Sequence, residues 1–132
     1  MKKLHTFEEF FQLNEDLRTQ NLELLKDFVN DKFVCTVDYR GERIGDILDG
    51  IRIIEPYTVG VMENGDTYLR AWLIKGISKT GKTDPRVVPG WRLFRIDRIK
   101  TINSNNEKFE VPKKGYNDKD ASMSEILFTA AF

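Results

Sequence analysis

Two of the side chains on which much protein chemistry depends are nearly missing from this sequence. Among 132 residues there is one cysteine, Cys35, and one histidine, His5. A lone cysteine makes no internal disulfide. One imidazole and one thiol also fall short of the nitrogen and sulfur ligands that a zinc or copper site needs, so no metal and no cofactor is expected. No stretch approaches the ~20 apolar residues of a membrane span. Met1-Lys2-Lys3 is basic, but Glu8 and Glu9 interrupt the apolar residues behind it, so the ~7–15-residue apolar core of a secretory leader is absent. A cytoplasmic protein is expected, or a virion component if the chain is phage-encoded, with no membrane partner. Net charge is lacking too, since 21 Lys and Arg balance 21 Asp and Glu.

What remains is a composition of 40% apolar, 11% aromatic and 32% charged residues, which suits one globular domain of ordinary size. The zero net charge hides an uneven distribution. Between Tyr68 and Lys100 nine basic residues face two acids, Asp84 and Asp97, whereas residues 1–31 hold seven acids against four bases. A basic surface, if one exists, belongs to the middle of the chain.

Periodicity divides the chain into a helical start and a β-rich middle. Thr6 with Glu9 three positions later forms a reciprocal capping pair, and Phe7, Phe10, Phe11 and Leu13 follow at near-helical spacing. Asn21 could open a second helix carrying Leu22, Leu25, Phe28 and Val29, or residues 1–31 form one bent helix. From Phe33 the period becomes two, with Cys35, Val37 and Tyr39 alternating with more polar residues. Ile51–Tyr57 reads as a second strand, and Glu63-Asn64-Gly65-Asp66 as a hairpin turn. Tyr68–Ile77, Trp91–Ile96 and Lys108–Val111 read as a third, a fourth and a fifth strand. A mainly β fold is expected over residues 32–112, namely a small SH3-like or Sm-like barrel of about five strands behind one or two helices. Residues 113–132 read as a polar linker with an apolar tail, Ile126-Leu127-Phe128 and Ala130-Ala131-Phe132, that docks on this domain or on another chain.

Gly76-Ile77-Ser78-Lys79-Thr80-Gly81-Lys82-Thr83 matches the phosphate-binding P-loop at every specified position. Its context does not fit. A P-loop runs straight into a helix, whereas Asp84-Pro85 and Pro89-Gly90 follow within seven residues and would break one. A nucleotide hydrolase is therefore not expected. Asp46 and Asp49 have no histidine or metal-spaced partner and read as turn residues. Cys35, between apolar strand neighbours, reads as a buried thiol, and His5 as a solvated flank. The chain is read as a non-enzyme.

The third strand places Tyr68, Arg70 and Trp72 on one face and Leu69, Ala71 and Leu73 on the other. One face is core; the other joins a guanidinium to two aromatic rings, a composition that stacks bases and pairs with phosphates, or that simply packs across strands.

At Gly90-Trp91-Arg92-Leu93-Phe94-Arg95-Ile96-Asp97-Arg98-Ile99 the chain resembles the WYL domain family of bacterial and phage regulators. Thr67-Tyr68-Leu69 stands where the family has its Trp-Tyr-Leu strand, and Phe94–Ile99 where it has a Phe-Arg-Leu-Asp-Arg-Ile-like strand. Val37-Asp38-Tyr39, Arg52–Tyr57 and Lys108–Val111 are similar to neighbouring segments. The resemblance implies a small barrel that binds an anionic ligand, in several members a nucleotide or single-stranded nucleic acid, and reports it to a partner. It also implies ligand-facing roles for Tyr68, Arg95 and Arg98; Arg70 and Arg92 join them on alternation and charge. Thr67 departs from the family pattern. So does the acidic start, which replaces the usual winged helix-turn-helix and makes direct DNA reading by that part unexpected. The rival expectation is an assembly or virion protein that binds protein, or a second copy of itself, through its helix and C-terminal tail. Geometry separates the two, because arginines converging on one hollow indicate an anion site, and arginines held by separate carboxylates indicate scaffolding.

Overall fold

The computed structural model describes residues 7–41, 50–76 and 89–132, with helix side chains from Arg18 onward. The Gly-Lys-rich loop after Gly76, the Asp46/Asp49 pair, His5 and the Thr6 capping position lie outside the described residues.

Among the described residues one helix, α1 (Phe7–Asp31), stands where one or two were expected. It runs through Asn21, which is not a cap. Asn21 is buried, and its Nδ2 donates to the Ile99 carbonyl at 2.8 Å. Leu25 and Val29, four and eight residues on, carry the same face into the core. The helix ends at Lys32, whose φ of 58° turns the chain into the sheet.

Among the described residues six antiparallel strands follow: β1 (Phe33–Tyr39), β2 (Gly50–Val61), β3 (Thr67–Gly76), β4 (Gly90–Arg95), β5 (Ile99–Lys108) and β6 (Glu125–Thr129), with a short 3-10 turn, η1 (Ile96–Arg98), between β4 and β5. Five of them pair in the order β4-β3-β2-β1-β5, and β6 joins β2 off this path. The fold is mainly β behind a helix, as expected, but the sheet is not a closed barrel, because its end strands β4 and β5 do not pair with each other. Connectivity still forces it to curl. Five flat strands would put β4 and β5 about 19 Å apart at ~4.8 Å per step, and the link from Arg95 to Ile99 spans at most ~14 Å. The seam is filled by side chains rather than by a ladder, since Ile96 and Ile99 are buried in the main core.

The β2–β3 hairpin turns where Asn-Gly predicts. Gly65 has φ 87°, and Asn64 Oδ1 accepts from the Asp66 amide at 2.9 Å. The fifth strand is Ile99–Lys108 instead of Lys108–Val111. Only Ile99 and Ile102 of β5 point into the core, so this edge strand, rich in Asn and Ser, carries almost no apolar alternation to read.

Strand β2 is buried from Ile54 through Gly60, because both faces of the sheet are covered. Beneath α1 lies a core of Leu25, Val37, Ile54, Val59, Leu69, Phe94, Ile96 and Ile102, among others. On the opposite face Tyr57, Val34 and Phe109 form a second cluster with Trp72, Trp91 and Tyr116. The edge of β2 is also shared. Residues 50–54 pair with β1 and residues 58–61 with β6. Pro56, which has no N–H to donate, sits at the handover, where the register against β3 slips by one residue.

Residues 113–132, read from composition as a polar linker and apolar tail, run across the second face. Tyr57 anchors them. Its ring lies 4.7 Å from Trp91, 4.9 Å from Tyr116 and 5.9 Å from Phe132, centroid to centroid. The Tyr57 hydroxyl donates to Glu55 at 2.8 Å and accepts from the Lys113 amide at 2.9 Å, while Lys113 Nζ reaches the other Glu55 oxygen at 2.8 Å. The tail thus docks on this domain, one of the two outcomes expected, and its anchors are single aromatic residues spaced among polar ones. Among the described residues no helix is long and apolar enough to cross a membrane.

Candidate functional site

Register decides which of the expected ligand residues share a face. Opposite Tyr68 stands Arg95, opposite Arg70 stands Leu93, and opposite Trp72 stands Trp91. Directly opposed residues of an antiparallel pair project to the same side, so Tyr68, Arg70, Trp72, Trp91, Leu93 and Arg95 form one surface. It is the second face, the one crossed by the C-terminal segment. Leu69, Ala71, Leu73 and Phe94 point the other way into the core.

Arg92 opposes Ala71 and therefore lies on the far face from Arg70 and Arg95. It is not part of this surface; its Nη1 donates to the Trp91 carbonyl at 2.9 Å. Arg98 lies in η1, where its carbonyl accepts from the Arg40 amide at 2.9 Å. Its charge acts on the Tyr39 phenol together with those of Asp97 and Arg95, and that phenol accepts the Arg95 amide, so Arg98 sits beside the Arg95 end of β4. Of the five expected residues, Tyr68, Arg70 and Arg95 share this face, Arg98 lies next to Arg95 in η1, and Arg92 lies on the far face.

Within the group each arginine already faces its own carboxylate, Arg95 with Asp97 and Arg70 with Asp120, the arrangement expected above of scaffolding. Arg95 meets Asp97 fork to fork, Nε to Oδ1 at 3.0 Å and Nη2 to Oδ2 at 2.7 Å, with Asp66 3.5 Å away. The strand passes into a 3-10 turn at this point, which brings residue i+2 back beside residue i. The hydrogen bond to Asp97 leads the effects that raise the Arg95 pKa above its ordinary value. Asp97 is half exposed, so the pair is of the solvent-screened kind that contributes ~0–1 kcal/mol.

Arg70 is held differently. Its Nε donates to Asp120 Oδ2 at 2.8 Å and its Nη2 lies 3.4 Å from Oδ1, while Nη2 also donates to Ser122 Oγ at 2.9 Å. Asp120 is largely buried, its side chain 10% exposed. Burial would by itself raise its pKa, but hydrogen bonds from Arg70 and Ser122 outweigh that and hold the carboxyl below its ordinary value. This pair forms part of the wall of a cavity of about 240 Å³, whose other sides are Trp91, Tyr116, Asn117 and the backbone at Gly115. The Trp91 and Tyr116 rings are nearly parallel, 27° apart with centroids at 6.4 Å. Trp91 Nε1 is fixed by the Lys114 carbonyl at 3.0 Å, and the Tyr116 hydroxyl by the Ala130 carbonyl at 2.6 Å. Gly115, at φ 94°, lets the backbone pass close over Trp91, since a Cβ there would lie 3.1 Å from Nε1.

Sequence reasoning missed three residues of this cavity. Trp91 was read as a strand residue with no face assigned, and the register puts it opposite Trp72. Asp120 and Tyr116 were not visible, because the pairing of Arg70 with Asp120 spans 50 positions and no local pattern encodes it. A further missed residue is Tyr39, whose hydroxyl accepts the Arg95 amide at 2.9 Å and whose ring lies 5.6 Å from the Arg52 guanidinium. Cys35 is fully buried, and burial pushes its thiol up to about 12, so it is an inert core group.

The family model described as WYL domain matches residues 20–104, from the second half of α1 into β5. Neither curated proteins nor solved structures give a match. The matched stretch contains all of Tyr68, Arg70, Trp91 and Arg95, and stops short of the segment that covers them.

Proposed function

The chain belongs to the WYL domain family, whose members are in general ligand-binding regulatory modules, and from that premise we propose that it is a non-enzymatic sensor of an anionic ligand. The ligand is a nucleotide or a short single strand of nucleic acid, held on the basic aromatic face of β3 and β4. Arg70 pairs with phosphate oxygens, Tyr68 and Arg95 flank it, and the rings of Trp91 and Tyr116 provide a stacking wall. One observation carries the reading: although Arg70 is paired with a carboxylate, as a scaffolding arginine would be, the pair lies in the wall of a cavity and uses the fork geometry that a phosphate would use.

Fluorescence-polarisation titration of a labelled single-stranded DNA decamer and of a labelled cyclic nucleotide tests it. Arg70→Ala is expected to weaken binding by about 1.5–3 kcal/mol, the range for a charge-assisted hydrogen bond. Arg92→Ala, on the far face, is expected to change nothing. Affinity falls as salt rises if phosphate contacts dominate. Equal binding by wild type and a folded Arg70→Ala protein removes the assignment.

A second reading, an assembly protein that binds a protein partner or a second copy of itself, is favoured by the pairing of Arg95 with Asp97 and Asp66 and by the exposure of Leu93, Leu127 and Phe132. Size-exclusion chromatography with light scattering on wild type and Leu127→Asp separates the two. An oligomer lost in the variant, with no anion bound by either protein, selects assembly.

A further inference from the structure

We infer that Asp120 is a built-in occupant of the ligand site, a carboxylate that keeps Arg70 engaged until a phosphate group displaces it. This rests on the reading of Arg70 as the phosphate-pairing residue, and adds to it a control by the chain's own C-terminal segment.

The segment has two unequal parts. Tyr116 and β6 are firmly fixed, the first by the Tyr57 ring and by its hydroxyl bond to Ala130, the second by ladder pairing with β2. Between them, the turns at residues 117–122 are held by little besides a polar clasp. Asp120 and Ser122 grip Arg70, and the Ser122 amide donates to Asp120 Oδ1 at 3.0 Å. Asn117 caps its own turn through a bond from the Lys119 amide at 3.0 Å. Beyond it, Met123 is buried on Gly60 and Ser124 is tied to the Val61 carbonyl. The movable element is thus short, polar and bounded by two anchors, and its one charged contact to the sheet is to the arginine that the ligand needs.

Two anions do not share one guanidinium fork in a part-buried site, because like charges at that distance repel strongly. A phosphate that takes the Nε–Nη2 edge of Arg70 therefore displaces Asp120. The apparent affinity of the wild-type protein is reduced by the fraction of molecules in which Arg70 is still held. By the same linkage, a bound phosphate releases residues 117–122, which would give the module a structural output.

The test uses the full chain with AMP as the phosphate probe and adenosine as its phosphate-free control, read by tryptophan fluorescence from Trp72 and Trp91. Asp120→Asn keeps the side-chain volume and removes the competing charge; it is expected to bind AMP roughly tenfold tighter than wild type. Adenosine binding is expected to be the same in both. Saturating AMP is also expected to increase hydrogen exchange at the Ser122 amide of the wild-type protein, which needs no variant to fold. If AMP binds in an Arg70-dependent way while Asp120→Asn leaves affinity unchanged and the Ser122 amide keeps its protection, the clasp is overturned and the ligand reading stands. If AMP binds neither protein, the assignment of Arg70 as the phosphate-pairing residue fails, and the clasp fails with it.

Discussion

Replacing Tyr57 by phenylalanine asks whether the C-terminal segment belongs to the same cooperative unit as the sheet. The ring is fully buried, and Phe would keep its packing on Trp91, Phe109 and Tyr116; only the hydroxyl is lost. That hydroxyl donates to Glu55 and accepts from the Lys113 amide. Glu55 is 4% exposed, so water is a poor substitute for the missing donor. A hydrogen bond to a charged group contributes ~1.5–3 kcal/mol and one between neutral groups ~0.5–1.5 kcal/mol. Glu55 keeps Lys113 Nζ at 2.8 Å, which places the expected loss near the lower end of the sum, about 2–3 kcal/mol. For a domain of this size each kcal/mol lowers Tm by roughly 3–5 °C, so a fall of about 6–15 °C is expected. Urea and thermal unfolding should be followed by far-UV circular dichroism and by tryptophan fluorescence, with coincident transitions in both proteins. A loss below about 0.5 kcal/mol, the size of an ordinary surface substitution, would show that the buried network contributes no stability. Separate transitions would show that residues 109–132 unfold on their own.

Gly60 and Asp120 test the seating of the C-terminal segment in two other ways. Gly60→Ala would put a Cβ 2.5 Å from the Glu125 carbonyl oxygen and 2.5 Å from Met123 Sδ; the methionine can swing away but the β6 backbone cannot, so a loss of ~1–3 kcal/mol and faster proteolysis within residues 117–132 are expected, and an unchanged digestion pattern would contradict the pairing of β6 with β2. Asp120 has a depressed pKa in the folded protein, so its contribution is fully present above the unfolded-state value of about 3.9 and is lost as pH falls through the lower folded value. The stability advantage of wild type over Asp120→Asn should therefore be constant from pH 7 to pH 5 and shrink between pH 4 and pH 2. A constant difference down to pH 2 would mean that the carboxylate is not paired.

How much of this was readable beforehand varies with how local the information is. The first strand and the Asn64-Gly65 turn were legible because alternation and positive φ are properties of a few adjacent residues. The Tyr68/Arg70/Trp72 face was legible for the same reason, and its partner Arg95 followed from the family resemblance. Arg92 was misassigned to that face. Charge places a residue in a region of the chain, but only the β3–β4 register tells which side of the sheet it occupies, and a shift of one residue reverses the answer. Strand β5 escaped because its outer side faces solvent along most of its length. Asn21 looked like a cap, since its side chain is chemically suited to one, and tertiary packing used the same amide to satisfy Ile99 instead. Least legible was the covering of the second face. Tyr116, Asp120 and β6 reach it through contacts 50 to 70 positions apart in sequence, and their own neighbourhood is polar enough to pass for a tether.

The divided edge of β2 has a consequence for how the protein is made. Its first half is paired once β1 lies beside it, but the stretch from Thr58 to Val61 waits for Glu125–Thr129, which comes much later in the chain. Until then a nascent chain presents unpaired backbone next to an uncovered aromatic patch, a template on which other strands can add. The emerging sheet therefore has one seat empty, and the speed with which Glu125–Thr129 takes it sets how long the newborn chain is prone to aggregate.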